Sequence, residues 1–167
     1  MGLLAKLFKA LNSDASPWQL AFGFALGMVM GLTPFVGLHS LLLIFSVLFF
    51  RVNISSFLIA WTVFSVIAIP ASYGFSALGE SILLSSTLES LWNGLYGTFI
   101  GQLTQFYHTT TLGSLIACVI LFPIILLLSK KLVEQYRERF MKWVNQWRIV
   151  QILKGSKFFQ IYQAIKD

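Results

Sequence analysis

Acidic residues are nearly missing from this chain: six Asp and Glu stand among 167 residues, and one of the two aspartates is the last residue. Histidine occurs twice and cysteine once. A single cysteine rules out an intramolecular disulfide and a cysteine-rich metal site. Cys118 lies in an apolar run and reads as a small buried hydrophobe. His39, His108, Glu80 and Glu89 show no ligand spacing, so no metal site is expected. There is no Gly-x-Ser-x-Gly, no aspartate pair in the apolar region and no histidine with an acid nearby. No catalytic residue and no cofactor is nominated, and the expectation is a protein that is not an enzyme.

Charge as a whole is also scarce, at 11% of residues against 57% hydrophobic, with a mean hydropathy of +0.79. Soluble domains carry charge on about a quarter of their residues. The composition therefore predicts an integral membrane protein, with room for one domain. The net charge of +6 does not point to nucleic acid, because the basic residues lie almost entirely at the two ends, beside apolar segments. Anionic lipid headgroups are their natural partner.

Four apolar stretches follow one another. Pro17 to Leu32 opens with Ser16 as N-cap and Pro17 at the first helical position. Leu38 to Phe50 ends at Arg51, residues 54–77 carry Pro70, and residues 111–129 carry Pro123. As helices these would span roughly 24, 20, 36 and 29 Å, against a hydrocarbon core of about 30 Å. Only the last two are long enough to cross alone.

No lysine or arginine occurs between Arg51 and Lys130, whereas Lys6 and Lys9 precede the apolar region and Lys130, Lys131, Arg137, Arg139, Lys142 and Arg148 follow it. The positive-inside rule then places both termini in the cytoplasm and residues 80–108 outside. Two arrangements satisfy this: residues 17–50 make two full crossings, or they form a re-entrant hairpin of two half-helices. The shortness of the second stretch favours the hairpin. Gly31, Pro34 and Gly37, within GLTPFVGLH, supply the turn.

Around this core, three amphipathic segments are expected at the membrane surface. Residues 1–15 interleave Lys6 and Lys9 with leucines, unlike a cleaved signal peptide, and read as a retained surface helix. In residues 80–108, Leu84, Leu88, Leu91, Leu95, Phe99, Leu103 and Phe106 recur at helical spacing, with Trp92 and Tyr96 at headgroup level and glycines that make a break plausible. Residues 130–167 form a basic tail, with the stripe Leu132, Tyr136, Phe140, Trp143, Trp147 and Val150 and a break at Gly155.

Three groups are candidate sites. Gly23, Gly27 and Gly31, four apart, make a flat strip for close helix approach, within the chain or to a partner. Thr33, Pro34, His39, Arg51 and Asn53 flank the break, where a half-helix N-terminus inside a membrane can hold an anion or a headgroup. Lys130, Lys131, Arg137, Arg139, Lys142, Trp143, Trp147 and Arg148 suit docking to anionic lipid or to a protein.

The stretches SPWQLAFGFALG, GLTPFVGLH and FRVN, in that order and at similar distances, resemble a bacterial inner-membrane family known as domain of unknown function twenty sixty-two. The C-terminal YRERFMKWV and LKGSKFFQIYQ extend the resemblance over nearly the whole chain. The third apolar stretch departs from it, with AIPASYG where many members carry an Asn-Pro pair. Gly27, Gly31, Pro34, Gly37, His39, Arg51 and Asn53 match the family motif. The resemblance implies a bacterial inner-membrane location and a larger envelope protein as partner, and it implies no activity. The expected function is a small polytopic subunit that anchors or gates an envelope complex, with lipids, a larger envelope protein or further copies of itself as partners. The alternative is an oligomeric transporter or channel for a small solute or ion.

Overall fold

A computed structural model of the chain describes the backbone of residues 15–146 and side chains through Arg139. It is all-helical among the described residues. The helices are α1 (Pro17–Leu32), α2 (Leu38–Phe49), α3 (Ile54–Leu83), α4 (Glu89–Tyr96), α5 (Phe99–Thr104) and α6 (Thr109–Gln146), with a single 3-10 turn at Ser86–Leu88. The expected surface helix of residues 1–15 falls almost wholly outside the described residues.

The start of α1 follows the expected chemistry. Ser16 Oγ accepts from Gln19 N and Gln19 Oε1 accepts from Ser16 N, so two unpaired donors of the first turn are satisfied, and Pro17 sits where no N–H is needed. Pro70 and Pro123 lie inside α3 and α6, and both helices continue through them. α3 runs six residues past the expected end of its stretch. α6 carries the last apolar stretch and the first part of the basic tail as one helix. The outer segment is broken rather than continuous: Gly97 caps α4, and Thr98 starts α5 by accepting from Gly101 N.

The residues opposite each glycine give the helix directions. Gly23 faces Asn53, Gly27 faces Ala60 and Gly31 faces Phe64, so α1 and α3 run parallel. A Cβ built at Gly23 would lie 2.7 Å from the Asn53 carbonyl oxygen, one at Gly27 2.8 Å from Ala60 Cβ, and one at Gly31 2.8 Å from the Trp61 carbonyl oxygen. The strip is therefore consumed inside the chain, and it is not a surface offered to a partner. α3 and α6 run antiparallel: Gly79 and Gly113 meet near one end, where Ser76 and Thr110 share a 2.7 Å hydrogen bond, while Ile59 and Val133 cluster near the other. Leu20 completes that second cluster, so α1, α3 and α6 form a three-helix core.

Because α1 and α3 are parallel, α2 must return between them. It does so loosely: Ser40 is its only buried residue, and Leu48 and Phe49 are 71% and 81% exposed. α3 and α6 are each long and apolar enough to cross a membrane. Only 22% and 28% of their most apolar stretches are buried, unlike the core helix of a soluble protein. In lipid, helices gain little from apolar burial against one another, so close backbone approach carries the packing. Gly27→Leu is expected to destabilise the fold by about 1–3 kcal/mol through overpacking against α3, read as a lowered unfolding midpoint in detergent. An unchanged midpoint would mean that α1 does not dock on α3.

Candidate functional site

The break between α1 and α2 is closed by its own side chains. Thr33 ends α1: its backbone N–H and its hydroxyl both donate to the Val29 carbonyl, at 3.1 and 2.8 Å. Thr33 is buried, so this doubled bond meets the need to satisfy polar groups away from water. His39, in the first turn of α2, folds back so that Nε2 lies 2.8 Å from the Pro34 carbonyl oxygen. A carbonyl only accepts, so Nε2 carries a proton and donates it to Pro34. The other ring nitrogen, Nδ1, is buried with no partner among the described residues. Ser40 Oγ makes a longer, 3.5 Å contact to the same Pro34 oxygen.

Gly37 leaves room here for the His39 ring. A Cβ at Gly37 would fall 2.6 and 2.7 Å from Cε1 and Nδ1 of His39, so the ring occupies the room a side chain would need. Phe35 stacks on Trp61 of α3, centroids 5.8 Å apart and planes at 6°, and pins the turn against the long helix. The donor that His39 would offer an anion is thus already used on the turn.

Arg51 and Asn53 are not part of this cluster. They lie at the other end of α2, twelve residues or about 18 Å of helix away. Asn53 caps α3 through its side chain, which accepts from Ser56 N at 2.9 Å, and its backbone N–H donates to the Gln19 carbonyl at 3.2 Å. Ser56 Oγ adds a 2.8 Å bond to the Leu20 carbonyl. Arg51 takes a left-handed backbone with φ 42° and is exposed. Gln105, φ 56°, plays the same part before α6, so both long helices are entered through one left-handed residue.

The basic cluster of α6 converges on this same end. Lys130 Nζ lies 4.5 Å above the Trp18 ring and 3.5 Å from Glu134, and Arg137 donates to the Ala15 carbonyl at 2.8 Å. Lys131 and Arg139 are exposed. The backbone of Lys142 and Trp143 belongs to α6, and Trp147 and Arg148 lie outside the described residues. At the opposite end, Trp92 donates to the Ile82 carbonyl at 3.3 Å and stacks with Tyr96, whose phenol is raised above its usual range by partial burial. Among the described residues no three His, Cys, Asp or Glu come together.

The five residues grouped around the break therefore separate into a turn cluster (Thr33, Pro34, His39) and a base cluster (Arg51, Asn53). Sequence reasoning missed Trp18, Gln19, Phe22 and Phe50, which line a cavity of about 310 Å³ at the base. The available signal was spacing: Trp18, Phe22, Leu26 and Val29 stand four, four and three apart on one face of α1.

The family model described as Uncharacterized protein conserved in bacteria (DUF2062) matches residues 3–142. The chain belongs to this family. The DUF2062 match takes in α1 to α5 and most of α6, in agreement with the resemblance carried by GLTPFVGLH and FRVN. An uncharacterized protein of Treponema pallidum (strain Nichols) is 27% identical over 134 residues, 80% of this chain and 83% of that relative. No solved structure matches.

The turn cluster makes a quantitative prediction for the GLTPFVGLH motif. His39→Ala should cost about 1 kcal/mol for the lost bond to Pro34. Gly37→Ala should destabilise the native chain, yet have little effect in the His39→Ala background, where the obstructing ring is gone. A double-mutant cycle of unfolding midpoints checks this, and strict additivity would refute the contact.

Proposed function

We propose that this protein is a small inner-membrane subunit that anchors or gates a larger, lipid-handling envelope complex, and that its α1–α2 hairpin enters the bilayer from the cytoplasmic side without crossing it. The observation that carries the reading is the height of the turn. Gly31, the last glycine of the strip, lies against Trp61, Phe64 and Ser65. From Ile54 to Ser65 α3 rises about 16 Å, and from Ser65 to Leu83 it rises about 27 Å more. With α3 spanning a core of about 30 Å, the turn comes to rest near mid-bilayer.

Charge supports the orientation. Arg51, Lys130 and Arg137 gather at the base of the hairpin, and Glu80 and Glu89 fall at the far end of α3 and at the start of α4. Lysine and arginine at the base favour the cytoplasmic side. The closed turn suits mid-bilayer depth, because irregular backbone there must be satisfied by protein. The apolar side chains that α2 leaves exposed are free to meet lipid or a partner subunit, which is what an anchoring or gating element needs.

The topology is tested with a single cysteine. Val36→Cys in a Cys118→Ala background should resist an impermeant maleimide added from the periplasmic side, and labelling there would establish two full crossings instead. The role is tested by purifying the tagged protein from its own cells in mild detergent. A stoichiometric large envelope protein is expected among the co-purifying chains. A homo-oligomer alone that conducts solute in liposomes would overturn the subunit reading in favour of transport.

A further inference from the structure

Three stripes of side chains converge along one face of the hairpin. On α1 they are Trp18, Phe22, Leu26 and Val29; α2 brings Phe50, from its C-terminal end, and Leu43; α6 brings Phe122, Cys118 and Leu115. Two cavities lie along them. The lower, about 310 Å³, is bounded by Trp18, Gln19, Phe22 and Phe50, and the upper, about 280 Å³, by the apolar residues of all three helices. The edge-to-face pair Phe22–Phe122, 5.9 Å between centroids, stands between them, Phe22 lining the lower and Phe122 the upper. The groove exists because α2 packs loosely: no glycine strip draws it onto α1, as one draws α1 onto α3.

The ends of this groove differ in chemistry. Its upper part is apolar throughout. Two of the residues that line its lower part have basic neighbours: Arg51 follows Phe50 in the chain, and Lys130 lies over the Trp18 ring. Arg51 has no ion pair or side-chain hydrogen bond among the described residues, while Lys130 is shared with half-buried Glu134 at 3.5 Å. Length matters as well. Trp18 to Val29 is eleven residues, about 16 Å of rise, which is close to half of a 30 Å hydrocarbon core. Two mainly apolar cavities in succession over about one leaflet, with basic residues towards the lower end, suit an acyl chain beneath a charged headgroup.

We infer that the α1–α2–α6 groove holds one acyl chain of an anionic phospholipid of the cytoplasmic leaflet, with the headgroup phosphate held between Arg51 and Lys130. This rests on the proposed depth and orientation of the hairpin. Arg51 suits the phosphate because its planar fork offers paired donors. Trp18 suits the interface because its ring is apolar while its N–H reaches water. Occupation of the groove would seat α2 against α1 and α6, so lipid and hairpin position are coupled.

The test uses the full chain in nanodiscs of phosphatidylethanolamine and phosphatidylglycerol, released into mild detergent, with retained lipid counted by native mass spectrometry. One retained phosphatidylglycerol per chain is expected. Leu43→Trp, which fills the upper cavity, should abolish retention. Arg51→Asn, which keeps a residue tolerant of the left-handed turn, combined with Lys130→Gln should lower it by more than roughly tenfold, since each basic residue near a headgroup contributes about 1 kcal/mol. Lys131→Gln, on the exposed face of α6, should leave it unchanged. Unfolding midpoints of all variants show that the chain is intact. Equal retention of both lipids, or retention undiminished in the filled variant, would mean annular lipid only and would overturn the site. Periplasmic labelling of Val36→Cys would instead overturn the topology beneath it, so the two failures are told apart.

Discussion

The backbone-to-backbone approach of α1 and α3 is the constraint on which the rest of the structure depends. Three glycines at intervals of four let a sixteen-residue helix lie against a thirty-residue one with no α1 side chain at those three positions. Dispersion and close dipolar contact act at short range there, which matters in a setting where apolar burial gives helices little reason to associate. The approach also fixes direction. With α1 parallel to α3, the chain must turn and come back within the length of α1, and α2 is that return.

The turn then has to close its own backbone. It does so with four residues of mixed type: Thr33 doubles its donation to Val29, His39 reaches back to Pro34, Ser40 leans on the same oxygen, and Gly37 leaves room for the imidazole. A histidine in an oily helix attracts a ligand or proton-transfer reading, yet here its donor closes a loop five residues long. At the other end of α2 the chain re-enters helix through Arg51 in a left-handed conformation, and Asn53 ties the start of α3 to the first turn of α1. The α1–α2 pair is thus anchored at both ends of α2 and loose along α2 itself.

Much of this was legible from residue order. Ser16-Pro17 marks a helix start, GLTPFVG marks a break, and 54–77 and 111–129 stand out as the long apolar helices, because capping, turn chemistry and hydropathy are local properties. The helix ends were less legible. α3 continues through Ala77 to Leu83 because Ser76 and Gly79 are held against Thr110 and Gly113, a contact between residues more than thirty positions apart. The grouping of Thr33 and His39 with Arg51 and Asn53 was natural by sequence distance, but a rigid helix of twelve residues keeps the two sets apart.

The order of elements, the apolar class of the chain, the break between two short helices and the two helices long enough to cross a membrane were determined by sequence alone, since each follows from hydropathy, capping and turn residues read in windows of a few positions. Only the tertiary structure decided that the glycine strip faces α3, that α1 ends about a third of the way along it, and that Trp18, Phe22 and Phe50 share a cavity near Lys130. Those facts depend on which helices lie side by side. A periodic stripe on one helix specifies a face and leaves open what that face will meet.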